Sequence, residues 1–258
     1  MRPVILASPV HSTSISLLTE TTALLAALSG SYSTNQQIAI NNLISSLKTA
    51  GVWAKLDTLQ IYALANSTDA RFNWKTATSQ ATLTGSPSFT AYSGFSTSST
   101  ANYIITGFNP TSGTPLYAQN NASFGVWINS NIYSSTGTDV YTLTENLGAL
   151  YIKYTDNKTY YGMNHSVGSY LNSTLTSWPI GLYAVSRSDS TGQNLYTPAE
   201  TNSTNSTSAA LYSATYELGR YMDAPGRTFS AFFAGQSLNQ TEYNSCNSAI
   251  ATFLGAIP

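Results

Sequence analysis

The sequence predicts a mainly β protein, a β-sandwich with helices before and after it. Its clearest strand is the run in which Phe124, Val126 and Ile128 alternate with Gly, Asn and Trp127. This two-residue period is typical of a strand with two unlike faces, so we expect the first three side chains in the interior and Trp127 on the opposite face, under a helix. Short β-prone runs separated by Gly and Ser-Pro turns fill Ala81–Phe108, a spacing typical of all-β folds.

Two helices are predicted before the sandwich. A short one spans Glu20–Leu28, and a longer one spans Asn35–Ala50. Thr34 and Gln37 match a capping box at the start of the longer helix, and Gly51 occupies the position where a left-handed residue often ends a helix. One face of this helix is apolar and needs a surface to pack on, for which the sandwich is the candidate: Ile40, Leu43, Ile44 and Leu47.

Several β-prone runs lie between this helix and the clearest strand. Thr58–Ala65 fits either a strand or a continued helical turn, and Phe72 and Trp74 are predicted core anchors. Tyr103–Phe108 is a predicted strand. The long polar connection Asn109–Asn121 fits a plain loop or part of a contact surface, and we favour the plain loop.

The second half of the chain predicts more strands joined by turns. Asp156-Asn157 is expected to form a two-residue hairpin turn, and Ser190-Thr191-Gly192 the turn of a second hairpin. The polar, repetitive run Thr201–Ala210 is predicted to be a surface loop. The predicted strands are Val140–Leu143, Leu150–Thr155, Gly181–Arg187, Asn194–Thr197, Ala209–Tyr216 and Thr228–Ala234.

A final helix is predicted over residues 239–255. Asn239 and Glu242 match a second capping box at its start. Cys246 falls on its apolar face, which predicts a small buried side chain.

The domain organisation follows from these elements. Residues 1–18 carry two prolines and a Ser/Thr run without a sustained period, which fits a loosely held terminus or an arm that docks on a partner. We expect residues 19–258 to form a single domain, with a helical lead-in at 19–56, the sandwich at 57–235 and the last helix at 239–255.

The composition excludes several classes of function. Charged residues make up 8% of the chain, against roughly 25% in ordinary soluble domains, and 72 of the 258 residues are Ser or Thr. A net charge of −1 gives no attraction to phosphate backbones, so nucleic-acid binding is not expected. No apolar run approaches about 18 residues, and Val4–Ala7 is too short for an export signal, so we expect neither membrane insertion nor a cleaved leader.

The ionisable side chains are too few and too scattered to indicate an active centre. The Glu-x-Asp-x-Glu pattern of sandwich glucanases is absent, and His11 and His165 lie far apart without metal-ligand spacing. No nucleophile-elbow, phosphate-binding or Ca²⁺-loop motif occurs. We therefore predict no catalytic, cofactor-binding or metal-ligating residues, although glycosidase carboxylates can come from distant segments and leave the enzyme alternative open.

Binding is the better supported class of function. Eighteen Tyr and four Trp in a low-charge, hydroxyl-rich chain are typical of a surface that meets sugars or a neutral protein. The alternative is that most of these rings form cross-strand pairs and core edges. The candidate contact residues lie at or after a predicted hairpin turn: Tyr160, Tyr161, His165, Trp178 and Arg187.

Several segments carry a resemblance to a known family: GVWAKLD (Gly51–Asp57), Tyr103–Pro110, FGVWIN (from Phe124) and the closing TFSAFFAGQSLNQTEYNSCNSAIATFLGAI. These segments are similar to segments of bacteriophage and prophage virion proteins. The resemblance covers about Thr22–Ile257. It implies a concanavalin-like, laminin-G-like jelly-roll sandwich in a tail, fibre or head-decoration protein, and it carries over no catalytic residues.

The resemblance implies a virion structural protein of a tailed phage that displays a lectin-like sandwich on the particle, and the scattered ionisable residues make us expect a non-enzymatic one. We expect the arm at residues 1–18 to contact other virion proteins, and the loop edge to face host-surface glycan or neighbouring subunits. We also expect a homo-oligomer, made in the cytoplasm of the bacterial host. Two alternatives stay open: a glycan-processing enzyme on the same sandwich, and a subunit that only stabilises the capsid or tail.

Overall fold

The computed structural model describes residues 16–130, 132–142, 148–165, 170–223 and 226–258. The arm predicted over residues 1–18 lies outside this set, apart from its last three residues. Among the described residues, no helix is both long and apolar enough to cross a bilayer.

Helices precede and follow the β structure, as predicted. Cys246 and the apolar stripe of the long N-terminal helix are buried, Gly51 has a φ of +73°, and the capping box at Asn239 and Glu242 is present. The last helix ends one residue later than predicted. Within the described ranges the α-helices are α1 Thr19–Ala27, α2 Thr34–Thr49, α3 Val52–Lys55 and α4 Gln240–Ala256.

The N-cap of α2 is Ser33 and not Thr34, so that prediction is wrong by one residue. The Ser33 hydroxyl accepts a hydrogen bond from the Gln36 backbone N–H at 3.3 Å, and Gln36 Oε1 accepts from the Ser33 N–H at 2.8 Å. Both candidate pairs have the same spacing, which therefore cannot distinguish them. The folded chain does, because Ser33 is extended and the Gln37 side chain donates to the Tyr32 carbonyl instead.

The described strands form two antiparallel sheets. In chain order they are β1 Leu56–Ile61, β2 Phe72–Asn73, β3 Thr78–Ser79, β4 Thr82–Thr84, β5 Ser88–Thr90, β6 Gly94–Thr97, β7 Tyr103–Ile105, β8 Ala122–Ile128, β9 Val140–Tyr141, β10 Gly148–Tyr151, β11 Thr159–Met163, β12 Leu171–Ser173, β13 Gly181–Arg187, β14 Gly192–Tyr196, β15 Thr201–Asn205, β16 Glu217–Leu218 and β17 Arg227–Gly235. A ten-stranded sheet has the order β15-β14-β13-β8-β17-β1-β2-β3, with β6 pairing β17 and β5. A seven-stranded sheet has the order β12-β11-β10-β9-β16-β7-β4.

The core lies between the two sheets. Phe124, Val126 and Ile128 of β8 are fully buried, as predicted. The Phe124 ring lies 5.1 Å from the ring of Tyr216, which directly precedes β16 of the seven-stranded sheet. Phe232 of β17 lies 6.1 Å from the same ring. These contacts confirm the mainly β sandwich with flanking helices.

Helix α4 covers the other face of the ten-stranded sheet. The Tyr243 hydroxyl donates to the Leu182 carbonyl of β13 at 2.6 Å, and the Phe253 ring lies 5.6 Å from that of Trp74. Trp127 sits directly opposite Leu182 in the β8–β13 pair and is 7% exposed. The prediction that Trp127 lies on the helix-covered face is therefore confirmed.

The loop predicted over Thr201–Ala210 is wrong in its first half, which forms the edge strand β15. Alternate residues of this strand turn inward, and the Thr204 hydroxyl forms a hydrogen bond of 2.7 Å with the Tyr161 hydroxyl on the facing sheet. The backbone of this polar run pairs with every residue of β14, and this pairing, together with the contact to Tyr161, makes the run a strand. Polarity alone predicted a loop because an edge strand needs few apolar residues.

The strand predicted over Ala209–Tyr216 is also wrong. No strand occurs in this described segment, and the two strand residues of β16 follow it. Its end residues donate their backbone N–H groups to loops, to the carbonyls of Asn164 at 2.6 Å and Phe108 at 3.1 Å. Of the predicted strand Val140–Leu143, β9 covers the first two residues, and Leu143 lies outside the described residues.

The connection Asn109–Asn121 is a loop, the alternative that we favoured from the sequence, and hydrogen bonds hold it at Leu116 and Tyr117. Both oxygens of the Asp57 carboxylate accept backbone N–H groups, from Leu116 at 2.7 Å and Tyr117 at 2.9 Å. The Tyr117 side chain enters the core, where its hydroxyl shares a hydrogen bond of 2.8 Å with that of Tyr216.

The segment Thr58–Ala65, for which the sequence allowed either a strand or a helical turn, is a strand through Ile61.

Candidate functional site

A cleft with tyrosine walls lies on the outer face of the seven-stranded sheet, at the β10–β11 hairpin. Its lining is formed by Thr136, Tyr151, Tyr154, Tyr160 and Tyr170. Its volume of about 270 Å³ lies just below the range of roughly 300–1,000 Å³ usual for small-molecule sites. All four rings are half-buried, so each keeps part of its surface open to a ligand.

The strand register places two of these rings side by side. Across β10 and β11, Leu150 pairs with Tyr161, and Tyr151 pairs with Tyr160. Leu150 and Tyr161 are fully buried, and the Tyr161 hydroxyl reaches Thr204 of the other sheet. Because neighbours along a strand point to opposite faces, Tyr151 and Tyr160 lie together on the outer face.

The tip of the hairpin positions a third ring. The Tyr154 N–H donates to the Lys158 carbonyl at 2.8 Å, and Asn157 has a φ of +60°, a left-handed conformation that Asn tolerates. The Asp156 carboxylate accepts from the Lys158 N–H at 3.1 Å and from the Tyr160 hydroxyl at 2.7 Å. This loop holds the Tyr154 ring 5.4 Å from the Tyr160 ring, with planes 76° apart.

Edge-to-face contacts connect the remaining rings. The Tyr151 ring lies 5.8 Å from that of Tyr154 and 5.1 Å from that of Tyr170, with interplanar angles of 88° and 65°. The Tyr151 hydroxyl also donates to the Tyr170 hydroxyl at 3.3 Å. Since the rings stand at steep angles to one another, the cleft presents both aromatic faces and phenol hydroxyls.

The cleft has an uncharged lining that is bordered by two carboxylates, Asp156 bonded to Tyr160 and Asp223 bonded to Thr136. The hydrogen bond from Tyr160 is the largest influence on Asp156 and lowers the pKa of this carboxyl below its ordinary 3.8. The same bond raises the pKa of Tyr160 above its ordinary 10.0. None of the described lining residues is charged, and the described part of the chain holds no group of three or more His, Cys, Asp or Glu placed for a metal ion.

The structure brings one of the sequence-predicted contact residues, Tyr160, into the cleft. Tyr161 points into the sandwich, and His165 is 5% exposed. Trp178 is half-buried: its Nε1 donates to the Thr159 hydroxyl at 3.2 Å, and the Lys153 ammonium lies 4.5 Å from its ring centroid.

Arg187 is fully buried, which corrects the prediction of a surface contact. Its Nε donates to the Met163 carbonyl at 3.1 Å, and its Nη1 donates to the Ser206 carbonyl at 2.8 Å. A guanidinium held by carbonyls in this way fastens β11 and the end of β15 to β13. The role is structural.

Three of the four cleft tyrosines, Tyr151, Tyr154 and Tyr170, were not among the contact residues predicted from the sequence. One signal for Tyr151 was present, since counting back from the Asp156-Asn157 turn puts Tyr151 and Tyr160 on the same face of the hairpin. Tyr154 lies in the loop, where strand periodicity does not apply. Tyr170 follows β11 at a distance that no local pattern predicts.

Comparison with known proteins found distant structural similarity. No family model matches the chain, and no curated protein matches it. Domain 4 of AbnA, a GH43 extracellular arabinanase from Geobacillus stearothermophilus solved in complex with arabinotriose, is 13% identical, with 75% of this chain and 98% of that chain covered and a TM-score of 0.45.

Two further structures are similar at the same level. The binding domain of botulinum neurotoxin serotype D is 13% identical over 76% of this chain and 51% of that chain, with a TM-score of 0.49. The VIP36 exoplasmic/lumenal domain in its Ca²⁺/Man3GlcNAc-bound form is 10% identical over 63% and 85% of the two chains, with a TM-score of 0.38. All three scores lie below 0.5, a level of similarity that does not indicate a shared function.

Proposed function

We propose that this protein binds an uncharged glycan in the tyrosine cleft, without chemical conversion, as a structural component of a bacteriophage virion. The observation that carries the binding function is the group of four half-exposed tyrosine rings around one cleft. The virion setting comes from the sequence resemblance.

The chemistry of the cleft suits a sugar ring. A pyranose presents apolar C–H faces, which pack on aromatic rings, and hydroxyl groups, which exchange hydrogen bonds with phenols. The contact between Tyr154 and Tyr160, at 76°, offers a ring face and a ring edge in one corner. With no charged side chain in the described lining, the cleft favours a neutral sugar over a phosphate or an acidic peptide.

The rival function, a glycan-processing enzyme, needs two carboxyl groups about 5–9.5 Å apart across the cleft. Thr136 and tyrosines form the described lining, and the two carboxylates that border it already accept its hydroxyls, Asp156 from Tyr160 and Asp223 from Thr136. Ring packing and hydroxyl contacts support binding, and the described lining supplies no acid–base pair. We therefore favour a non-enzymatic protein.

In the proposed setting the protein is exposed on the particle as a tail, fibre or head-decoration subunit, after synthesis in the host cytoplasm. Its cleft meets host-surface glycan, the chain assembles as a homo-oligomer, and the arm over residues 1–18 contacts other virion proteins. Deleting residues 1–18 tests the arm. We expect loss of incorporation into particles with an unchanged circular dichroism spectrum, and normal incorporation would contradict this assignment.

A glycan array followed by titration calorimetry tests the binding function. We expect wild-type protein to bind neutral glycans, and Tyr154→Ala and Tyr160→Ala each to weaken binding about three- to tenfold, the value of one ring contact. Tyr212→Ala is the matched control, because this tyrosine is 43% exposed and lies outside the cleft lining. Absence of any binding, or equal losses in the control, would overturn the proposal.

A further inference from the structure

A second aromatic group lies on the same sheet face, around Arg220. The guanidinium carbon of Arg220 lies 4.8 Å from the Tyr103 ring centroid and 5.0 Å from that of Tyr221. Arg220 Nη1 donates to the Glu217 carboxylate at 2.7 Å, and the Tyr221 ring lies 5.8 Å from that of Tyr141. A cation between two rings and beside a carboxylate is a fixed arrangement, which holds both tyrosines in place.

The strand register places this group on the outer face. Val140 pairs with Leu150 and with Leu218, and all three side chains are fully buried in the sandwich. Their strand neighbours Tyr141 and Glu217 pair with each other and point outward. The outer face therefore carries aromatic side chains on β11, β10, β9 and β7, four strands of one continuous sheet.

A direct contact joins the second group to the tyrosine cleft. Thr136 lines the cleft, and the next residue, Gly137, lies against the backbone of Tyr221 and Met222. A Cβ added at Gly137 would lie 2.4 Å from the Tyr221 carbonyl oxygen, so no larger residue fits between them. The chain that bounds the cleft thus touches the chain that carries the Tyr221 ring.

Tyr221 itself is unusual in two respects. It has a φ of +62°, a left-handed conformation that disfavours any residue with a Cβ and that Gly adopts without strain. It is also 45% exposed, so its ring contributes little to the core. A large ring kept at an exposed position where Gly would be more stable is consistent with a functional contact.

The charges of the second group cancel. Arg220 pairs with Glu217, and the same bond, with Tyr221, raises the pKa of Arg220 against the effect of burial. Two carboxylates border this face, since Asp156 accepts the Tyr160 hydroxyl and Asp223 accepts the Thr136 hydroxyl at 3.4 Å. Carboxylates accept sugar hydroxyls and repel anions, so the face complements a ligand without negative charge.

We infer that Tyr221 and Tyr103 form a second sugar subsite, so that the ligand is a linear, uncharged oligosaccharide lying across the strands. This rests on the proposed function of the cleft. At a strand spacing of about 4.8 Å, β10 and β7 are roughly 14 Å apart, a span that takes several linked sugar rings. A single sugar occupies the cleft alone, and a longer chain reaches both groups of tyrosines.

Chain-length dependence tests this inference. The probes are neutral cello-, malto- and chito-oligosaccharides of two to six units, titrated against wild type, Tyr221→Gly, Tyr221→Asn and Tyr160→Ala. We expect the wild type to bind the six-unit form of its preferred series at least about tenfold more tightly than the two-unit form, as a second ring contact adds to the first. Both Tyr221 variants lower the six-unit affinity about three- to tenfold and leave the two-unit affinity unchanged.

The variants also distinguish a failure of the second subsite from a failure of the proposed glycan binding in the cleft. Gly and Asn tolerate the left-handed conformation, so both Tyr221 variants are expected to keep or raise the melting temperature. Two results would overturn the second subsite alone. One is equal affinity of the wild type for short and long chains. The other is that Tyr221→Gly leaves six-unit binding unchanged while Tyr160→Ala weakens the binding of both lengths. No binding of any probe by wild type, or unchanged binding by Tyr160→Ala, overturns the proposed function of the cleft.

Discussion

The Tyr160 hydroxyl donates a hydrogen bond of 2.7 Å to the carboxylate of Asp156, four residues earlier in the same hairpin. The bond spans the hairpin tip and fixes the ring that forms one wall of the cleft. Because Asp156 is exposed and Tyr160 is only half-buried, its importance is positional: it orients a binding ring and adds little to the stability of the fold.

This bond has a measurable electrostatic consequence. It is the largest cause of the lowered pKa of Asp156, so Tyr160→Phe is expected to move that pKa back up toward its ordinary 3.8. In wild type the bond is kept above the lowered pKa and is lost as the pH falls through it. An NMR titration of the Asp156 carboxyl measures the shift.

The control for that titration is Tyr154→Phe, since Tyr154 makes a ring contact and is not a donor to Asp156. It should leave the Asp156 pKa where it is in wild type. An unchanged Asp156 pKa in Tyr160→Phe would contradict the assigned hydrogen bond.

Asp69 is expected to be a main contributor to the attachment of the N-terminal helices. Its buried carboxylate accepts five hydrogen bonds of 2.8–2.9 Å, which come from Ser29 N–H, Ser29 Oγ, Gly30 N–H, Tyr32 Oη and Asn66 Nδ2. Asp69→Ala leaves two backbone N–H groups without an acceptor and is expected to lower the free energy of unfolding by about 2–4 kcal/mol. Urea unfolding measures the change, and Glu20→Gln, at an exposed ion pair, should stay within about 0.5 kcal/mol of wild type.

The pH dependence of stability gives Asp69 a second test. Burial opposes its charge, but hydrogen bonds from Ser29, Tyr32 and Asn66 outweigh burial and hold its pKa below 3.8. A depressed pKa contributes stability that is complete above the unfolded value and is lost as the pH falls through the folded value. Wild type should therefore lose stability more steeply than Asp69→Ala in that acidic range, and parallel curves would contradict the assignment.

The position of the α2 cap is directly testable. Ser33→Ala removes the acceptor for the Gln36 N–H and should lower the free energy of unfolding by about 1 kcal/mol. Thr34→Ala changes the first residue inside the helix and should have little effect. If thermal or urea unfolding shows the larger loss for Thr34→Ala, the capping box is the one predicted from the sequence after all.

The thiol of Cys246 is expected to be inert in the folded protein. Burial raises its pKa to about 12, and the side chain is fully covered between α4 and the sheet. A thiol that is neither ionised nor accessible reacts slowly. Ellman's reagent should give almost no colour with native protein and one thiol per chain in guanidinium chloride, and rapid reaction of the native protein would show that α4 does not stay packed on the sheet.

Local patterns in the sequence predicted much of the fold because their causes are local. The alternation around Phe124 and Trp127 follows from strand geometry, and the cap at Asn239 needs only residues three positions apart. The same reasoning failed for Thr201–Ala210, where the partner strand β14 and the contact with Tyr161 determine the conformation.

The candidate site, like the fold, was predicted by the sequence only where the causes are local. Composition indicated a tyrosine-rich, uncharged binding surface, and Tyr160 was among its predicted residues. Arg187 looked like a surface contact and is buried, because the carbonyls that hold it come from segments distant in sequence.

What the sequence by itself determined is the class of the protein: a mainly β sandwich with flanking helices, poor in charge and rich in Tyr, Ser and Thr. Only the tertiary structure decided which tyrosines share a surface. Tyr151 and Tyr160 meet through strand pairing, Tyr170 joins them from beyond β11, and Tyr221 reaches the same face from the turn after β16. Each of these meetings depends on long-range register, and register is set by the packing of the whole sandwich and not by any short run of residues.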